Sequence, residues 1–144
     1  MTAKEYLMGY LDAAARYDAA QERLEECRRK IAGLKAVTIS DMPKAPRDSN
    51  RDLSDAFAAM EEAMQKAGKA MARQADIMDD IMDTLEQVRG RWAYTMLRDR
   101  YIYGLAWREI RGRYGKSATF CKRHHSTGLL AVQRILDERT KKDQ

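Results

Sequence analysis

The chain has 144 residues, with 27 Lys plus Arg against 22 Asp plus Glu, for a formal net charge of +5. Charged residues make up 34% of it, above the usual share of about a quarter, and only 8 Gly and 2 Pro interrupt a composition suited to long helices. No run approaches the roughly 18 consecutive apolar residues of a membrane span, so a membrane protein is excluded.

Two cysteines, Cys27 and Cys121, are too few for a disulfide framework and fit a reducing cytosol. Met1 to Tyr10 lack the basic-then-apolar design of a secretory signal. The expectation is a cytoplasmic, helical protein of one or two small domains. Its charge is divided unevenly. Residues 1–88 hold 13 basic and 17 acidic side chains, net −4, whereas residues 89–144 hold 14 and 5, net +9. A segregated basic end suits a polyanionic partner for that end alone.

The first predicted element opens on a capping box, Thr2-x-x-Glu5, and runs without proline to about Ala36. Apolar residues recur in steps of three and four at Ala3, Tyr6, Tyr10, Ala13, Tyr17, Ala20, Leu24, Cys27, Ile31 and Leu34, a heptad seam. Residues 37–51 contain Pro43 and Pro46 among polar turn formers and read as a connecting loop.

A second long helix follows, with Asn50 or Asp52 as caps. Its seam combines two rows stepping by seven. One is Phe57, Met64, Met71, Met78, Leu85 and Trp92; the other is Leu53, Met60, Ala67, Gln74, Ile81 and Val88. Gln74 is a polar member of the kind that fixes register. Five methionines between Met60 and Met82 read as core rather than as an adaptable partner surface.

Two matched helices joined by a loop predict an antiparallel hairpin. Such a hairpin leaves apolar stripes uncovered, so it should pair with a second copy. The expected homodimer seam is Leu53, Phe57, Met60, Met64, Met71, Gln74, Met78, Ile81 and Leu85.

Gly90 breaks the second helix, and three shorter helices follow: Trp92 to Tyr103, Trp107 to Tyr114, and a longer one capped by Ser117 and running to about Leu136. The last two, joined through Gly115, form a helix-turn-helix pattern. Apolar positions fall on Ile110, Tyr114, Cys121 and Leu129. Arg123 and Lys122 suit guanine edges, and Ser117, Thr119 and Ser126 suit phosphates or bases. Arg108, Arg111, Arg113 and Lys116 suit phosphates that position the module, and His125 is a further phosphate donor. Residues 108 to 123 hold six basic side chains and one acidic, Glu109. The predicted fold is therefore all-α, with a helical hairpin over residues 1–89 and a helix-turn-helix module over 90–144.

The stretch Leu97 to Tyr101, Gly104, Trp107 to Ile110, Gly115, Ser117, Arg123, His125 and Leu129 resembles region four of bacterial sigma factors. It is most similar to the version in phage regulators of the ArpU and RinA kind, and Ser40 to Pro43 is reminiscent of the same family. The resemblance covers about 35 residues in motif; over the first 90 it extends to layout. It implies transcriptional activation of phage genes in a bacterial host, nucleoid-associated, with DNA contact from Ser117, Lys122 and Arg123. Glu109 and Ile110 would stabilise the motif. The chain departs from the family at Ala106, where a serine or threonine usually caps, at Arg111, where alanine is usual, at Gly112, and at His124, where an aliphatic residue is expected.

Other chemistry finds little support in the sequence. Cys121, His124 and His125 fall short of the four ligands a structural zinc wants. The acid pairs Glu61-Glu62 and Asp79-Asp80 sit on predicted solvent positions, and no phosphate-cradling loop or nucleophile motif occurs. No enzyme activity, cofactor or small-molecule substrate is expected. Trp92 and Trp107 read as core anchors, and Arg139, Lys141 and Lys142 as a solvated helix end. Two other readings compete with a DNA-binding regulator. One is a packaging adaptor resembling a small terminase subunit. The other is an interaction module whose helix-turn-helix contacts RNA polymerase.

Overall fold

The computed structural model describes residues 1–40 and 47–144, with side chains over 1–36 and 50–144. It is helical throughout: α1 (Ala3–Ser40), α2 (Arg47–Glu86), α3 (Arg91–Tyr101), α4 (Trp107–Tyr114) and α5 (Ala118–Lys142). The described residues include no strand, and none of their helices is long and apolar enough to cross a membrane.

The capping box forms at the start of α1. The Glu5 backbone N–H donates to Thr2 Oγ1 at 3.2 Å, and the Thr2 N–H donates to Glu5 Oε2 at 3.0 Å. Helix reaches into both ends of the expected 37–51 loop, whose middle, residues 41–46, lies outside the described residues. α1 continues to Ser40 and α2 begins at Arg47, so Asn50 and Asp52 lie inside a helix instead of capping it. The reason is visible in composition. Pro43 and Pro46 fall within residues 41–46, outside the described residues, and nothing on either side of them forbids helix. At the C-terminus α5 runs six residues past Leu136.

Two compact units can be distinguished: Met1–Ala13 together with Gln74–Gln144, and Ala14–Arg73. The division lies elsewhere than at Gly90. In the second unit Leu24 and Cys27 of α1 pack against Ala63 and Ala67 of α2, while the Lys35 ammonium lies 5.2 Å from the Phe57 ring centre. Contacts that advance along α1 as they retreat along α2 make these two segments antiparallel.

The row that α2 turns toward α1 is built from alanine. Ala56, Ala63 and Ala67 are each 4% exposed, whereas Phe57, Met64 and Met71 of the expected seam are 39%, 50% and 56% exposed. Periodicity specified the spacing but not which of two adjacent rows makes the intrachain contact; small side chains let the helices approach closely and won. Leu53, Met60, Gln74 and Met78 are half-buried. Ile81 and Leu85 are buried in the other unit's core and are unavailable to a second copy.

That core joins the first turns of α1 to the C-terminal helices. Leu7, Ile81, Leu85, Leu97 and Val132 are at most 1% exposed and belong to one cluster. Burying side chains of this size contributes about 1.5–3 kcal/mol each. The Ala3 N–H donates to Gln133 Oε1 at 2.8 Å, fixing α1 to α5. α3 and α5 pack closely at Gly128, where an added Cβ would stand 2.8 Å from Leu97 Cδ1 and 3.3 Å from the Ala93 carbonyl oxygen. Arg139, expected to be solvated, donates to Thr84 Oγ1 at 2.7 Å and lies 3.6 Å from Asp80. It ties the end of α5 to α2.

Candidate nucleic-acid interface

α4 and α5 are placed by local signals and by one buried acid. α4 begins at Ala106 with no side-chain cap, and Glu109 in its first turn offsets the positive end of the helix. Gly115 ends it with φ 63°, a left-handed conformation that glycine adopts without steric cost. Lys116 and Ser117 complete the turn. Ser117 Oγ accepts the Phe120 N–H at 3.1 Å and starts α5, so its side chain is committed to the cap.

Asp99 on α3 is fully buried. It accepts the Tyr114 hydroxyl at 2.5 Å and Arg98 Nε at 3.0 Å, with an Arg113 guanidinium nitrogen 3.9 Å away. Burial, and then the Asp99 carboxylate, push the Tyr114 hydroxyl's pKa up, so it stays a donor. This network fastens the end of α4 to α3. The space between is filled by Met96, Ile110 and Cys121, with Trp92, Tyr114 and Phe120 packed around them. Trp92 makes edge-on contacts with the rings of Tyr114 and Phe120 at 5.5 and 5.3 Å.

With α5 held by Cys121, Gly128 and Val132, its opposite face is open. Thr119, Lys122, Arg123 and Ser126 are all exposed, as is Ser117 at the helix start. At 100° per residue Thr119, Lys122, Arg123 and Ser126 share one side of α5. Leu130, 63% exposed, continues that side. On α4, Arg108 is exposed and unobstructed, and Arg113 is exposed but leans toward Asp99.

Three expected contact residues are placed differently. Arg111 is half-buried between α4 and α5, and its Nε is buried without a hydrogen-bond partner. Lys116 is also half-buried, its ammonium 5.1 Å from the Trp92 ring centre and 4.9 Å from that of Phe120. His125 is wedged between Tyr101, whose hydroxyl bonds Nε2 at 2.8 Å, and Trp107, 4.7 Å away ring to ring. Sequence cannot distinguish a free cation from one docked on aromatic rings. His124, beside it, packs on Phe120 with its Nε2 buried and unpaired.

Burial lowers the pKa of His125, and the charges of Lys4 and Arg100 lower it further. The folded state therefore holds a neutral ring where the unfolded chain would take up a proton. Stability should be fully present above about pH 6.5 and be lost progressively as pH falls below it. Thermal unfolding of the parent and of His125→Gln between pH 8 and 5 tests this. The gap between the two melting temperatures should narrow with acid; parallel curves would contradict it.

Compared with protein-family models, curated proteins and solved structures, the chain shows no significant match to any of them, which leaves its own residues to indicate its function.

Proposed function

We propose that this protein is a sequence-specific duplex-DNA-binding transcriptional regulator of phage or prophage origin, acting as a homodimer. The observation that carries the DNA reading is the open face of α5. Thr119, Lys122, Arg123 and Ser126 project from a helix whose other face is locked into a core, directly after a tight glycine turn. A helix presented in this way fits the major groove, where Arg123 and Lys122 donate to guanine O6 and N7. Arg108 and Arg113 of α4 flank it as phosphate contacts. The regulatory role and the phage origin rest on the resemblance to sigma region four and the ArpU and RinA proteins.

Dimerisation is supported by the row Phe57, Met64 and Met71, which stays exposed among the described residues, with only the Lys35 ammonium near the Phe57 ring. Gly68 lies on the same side of α2, and a Cβ added there would meet no atom within 4 Å, leaving room for a second helix. Two copies of the DNA-reading element would then address two half-sites.

Binding to a random-sequence duplex pool, followed by anisotropy on the selected site across salt, tests the reading. Neutralising about four phosphates gives a slope of roughly −4 in log K against log salt. Absence of DNA retention at low salt would overturn it and favour the polymerase-binding module. Mass in solution separates the remaining competitor: two chains support the regulator, a ring of many chains the packaging adaptor.

A further inference from the structure

The groove between α4 and α5 is not filled. A cleft of about 440 Å³ opens there, lined by Trp107 and Arg111 of α4 and by Ala118, Cys121, Lys122 and His125 of α5. Each set lies on one side of its helix, Trp107 and Arg111 one turn apart, Ala118 and His125 two turns apart. The small side chains of Ala118 and Cys121 leave the floor of the groove unoccupied. Its volume falls within the range of small-molecule sites.

The chemistry of the lining is one-sided. Arg111 and Lys122 carry positive charge, and no acidic side chain lines the cleft. Arg111 Nε is withdrawn from water with no acceptor, although buried guanidinium donors ordinarily have one. The rest of the guanidinium lines the cleft with Lys122, and beside two cations an anionic occupant fits best. The Trp107 ring and the Ala118 and Cys121 side chains supply an apolar surface next to that charge. Lys122 stands exposed, where it can close over a bound group.

The geometry points to the α4–α5 cleft as a binding site for an oxyanion, phosphate or carboxylate, carried on a flat apolar body. Arg111 anchors the anion, Lys122 supplies the second charge, and Trp107 is the wall against which the body rests. Two sources provide the anion: a free organic anion, whose apolar body would rest on Trp107, or a phosphate of the DNA backbone, which would use the Arg111 and Lys122 contacts alone. A free anion would sit at the foot of α5 and engage Lys122, so its binding would regulate the DNA contact; that consequence rests on the DNA reading, while the site itself does not.

The test follows the Arg111 Nε–H and Trp107 indole N–H resonances of the full ¹⁵N-labelled chain. The titrants are inorganic phosphate, phenyl phosphate and a duplex DNA fragment. Phenyl phosphate is expected to shift both resonances saturably and to bind at least about tenfold tighter than inorganic phosphate, because only it uses the apolar wall. Arg111→Met should abolish the Trp107 shift, and Ala118→Leu, which fills the cleft without removing a charge, should abolish both shifts, with helicity unchanged. Shifts with the duplex and none with phenyl phosphate would identify the occupant as a backbone phosphate. Shifts with phenyl phosphate and none with DNA would support the site while the DNA reading fails. Silence in every arm, or phenyl phosphate shifts that persist in both variants, would overturn the assignment.

Discussion

Arg123→Glu is expected to abolish sequence-specific DNA binding while leaving the fold intact. Arg123 is exposed on the open side of α5, and no ion pair or hydrogen bond involves its side chain among the described contacts. Losing a bidentate arginine–guanine contact costs about 1–3 kcal/mol, or roughly tenfold to hundredfold in affinity. Reversing the charge adds repulsion from neighbouring phosphates, so the combined loss should exceed about a hundredfold. Arg108→Ala, by contrast, should weaken all duplexes alike and lower the salt slope by about one. Anisotropy titrations on selected and scrambled duplexes distinguish the two patterns. A variant Arg123→Glu that binds its site like the parent would remove α5 as the reading element.

Asp99→Ala is expected to be the most damaging single change to stability. The carboxylate is fully buried, and its three partners come from two helices: Arg98 beside it on α3, and Tyr114 and, at 3.9 Å, Arg113 at the end of α4. Hydrogen bonds to a charged group contribute about 1.5–3 kcal/mol each, and removal also strands the Tyr114 hydroxyl. Loss of about 3 kcal/mol follows, readable as a lower urea midpoint with an unchanged slope. Asp99→Asn keeps the volume and one acceptor and should lose about half as much. The change should also weaken DNA binding, because α4 and its turn would no longer be fastened to α3. An Asp99→Ala variant as stable as the parent would reduce the network to a surface detail.

The parts of this fold legible in the sequence are those with local causes. Gly115 and Ser117 marked the end of α4 and the start of α5 to the residue, because a left-handed cap and an N-cap hydroxyl each act within one turn. The Thr2–Glu5 box did the same for α1. The α2 seam was half legible. A stripe of large residues looks like a core whichever neighbour it faces, so Ala56 and Ala63 went unnoticed as contact residues and only Ala67 of their row was in the expected seam. What escaped entirely were the partners of charged side chains. Arg139 with Thr84 and Asp80, Lys116 on two rings, and Arg111 in its cleft all read as free cations in one dimension. On the candidate interface, sequence found the exposed row on α5 and overcounted the free cations around it.

The hydrogen bond from the Ala3 N–H to Gln133 Oε1 has a bearing on how the chain is made. A ribosome releases residue 3 long before residue 133 exists, and Leu7, fully buried in the finished protein, must wait alongside it. The unit that holds α3 to α5 thus depends on contacts between residues some 130 apart in sequence, which form slowly compared with local helix pairing. A nascent or prematurely terminated chain would present the apolar first turns of α1 to chaperones and proteases.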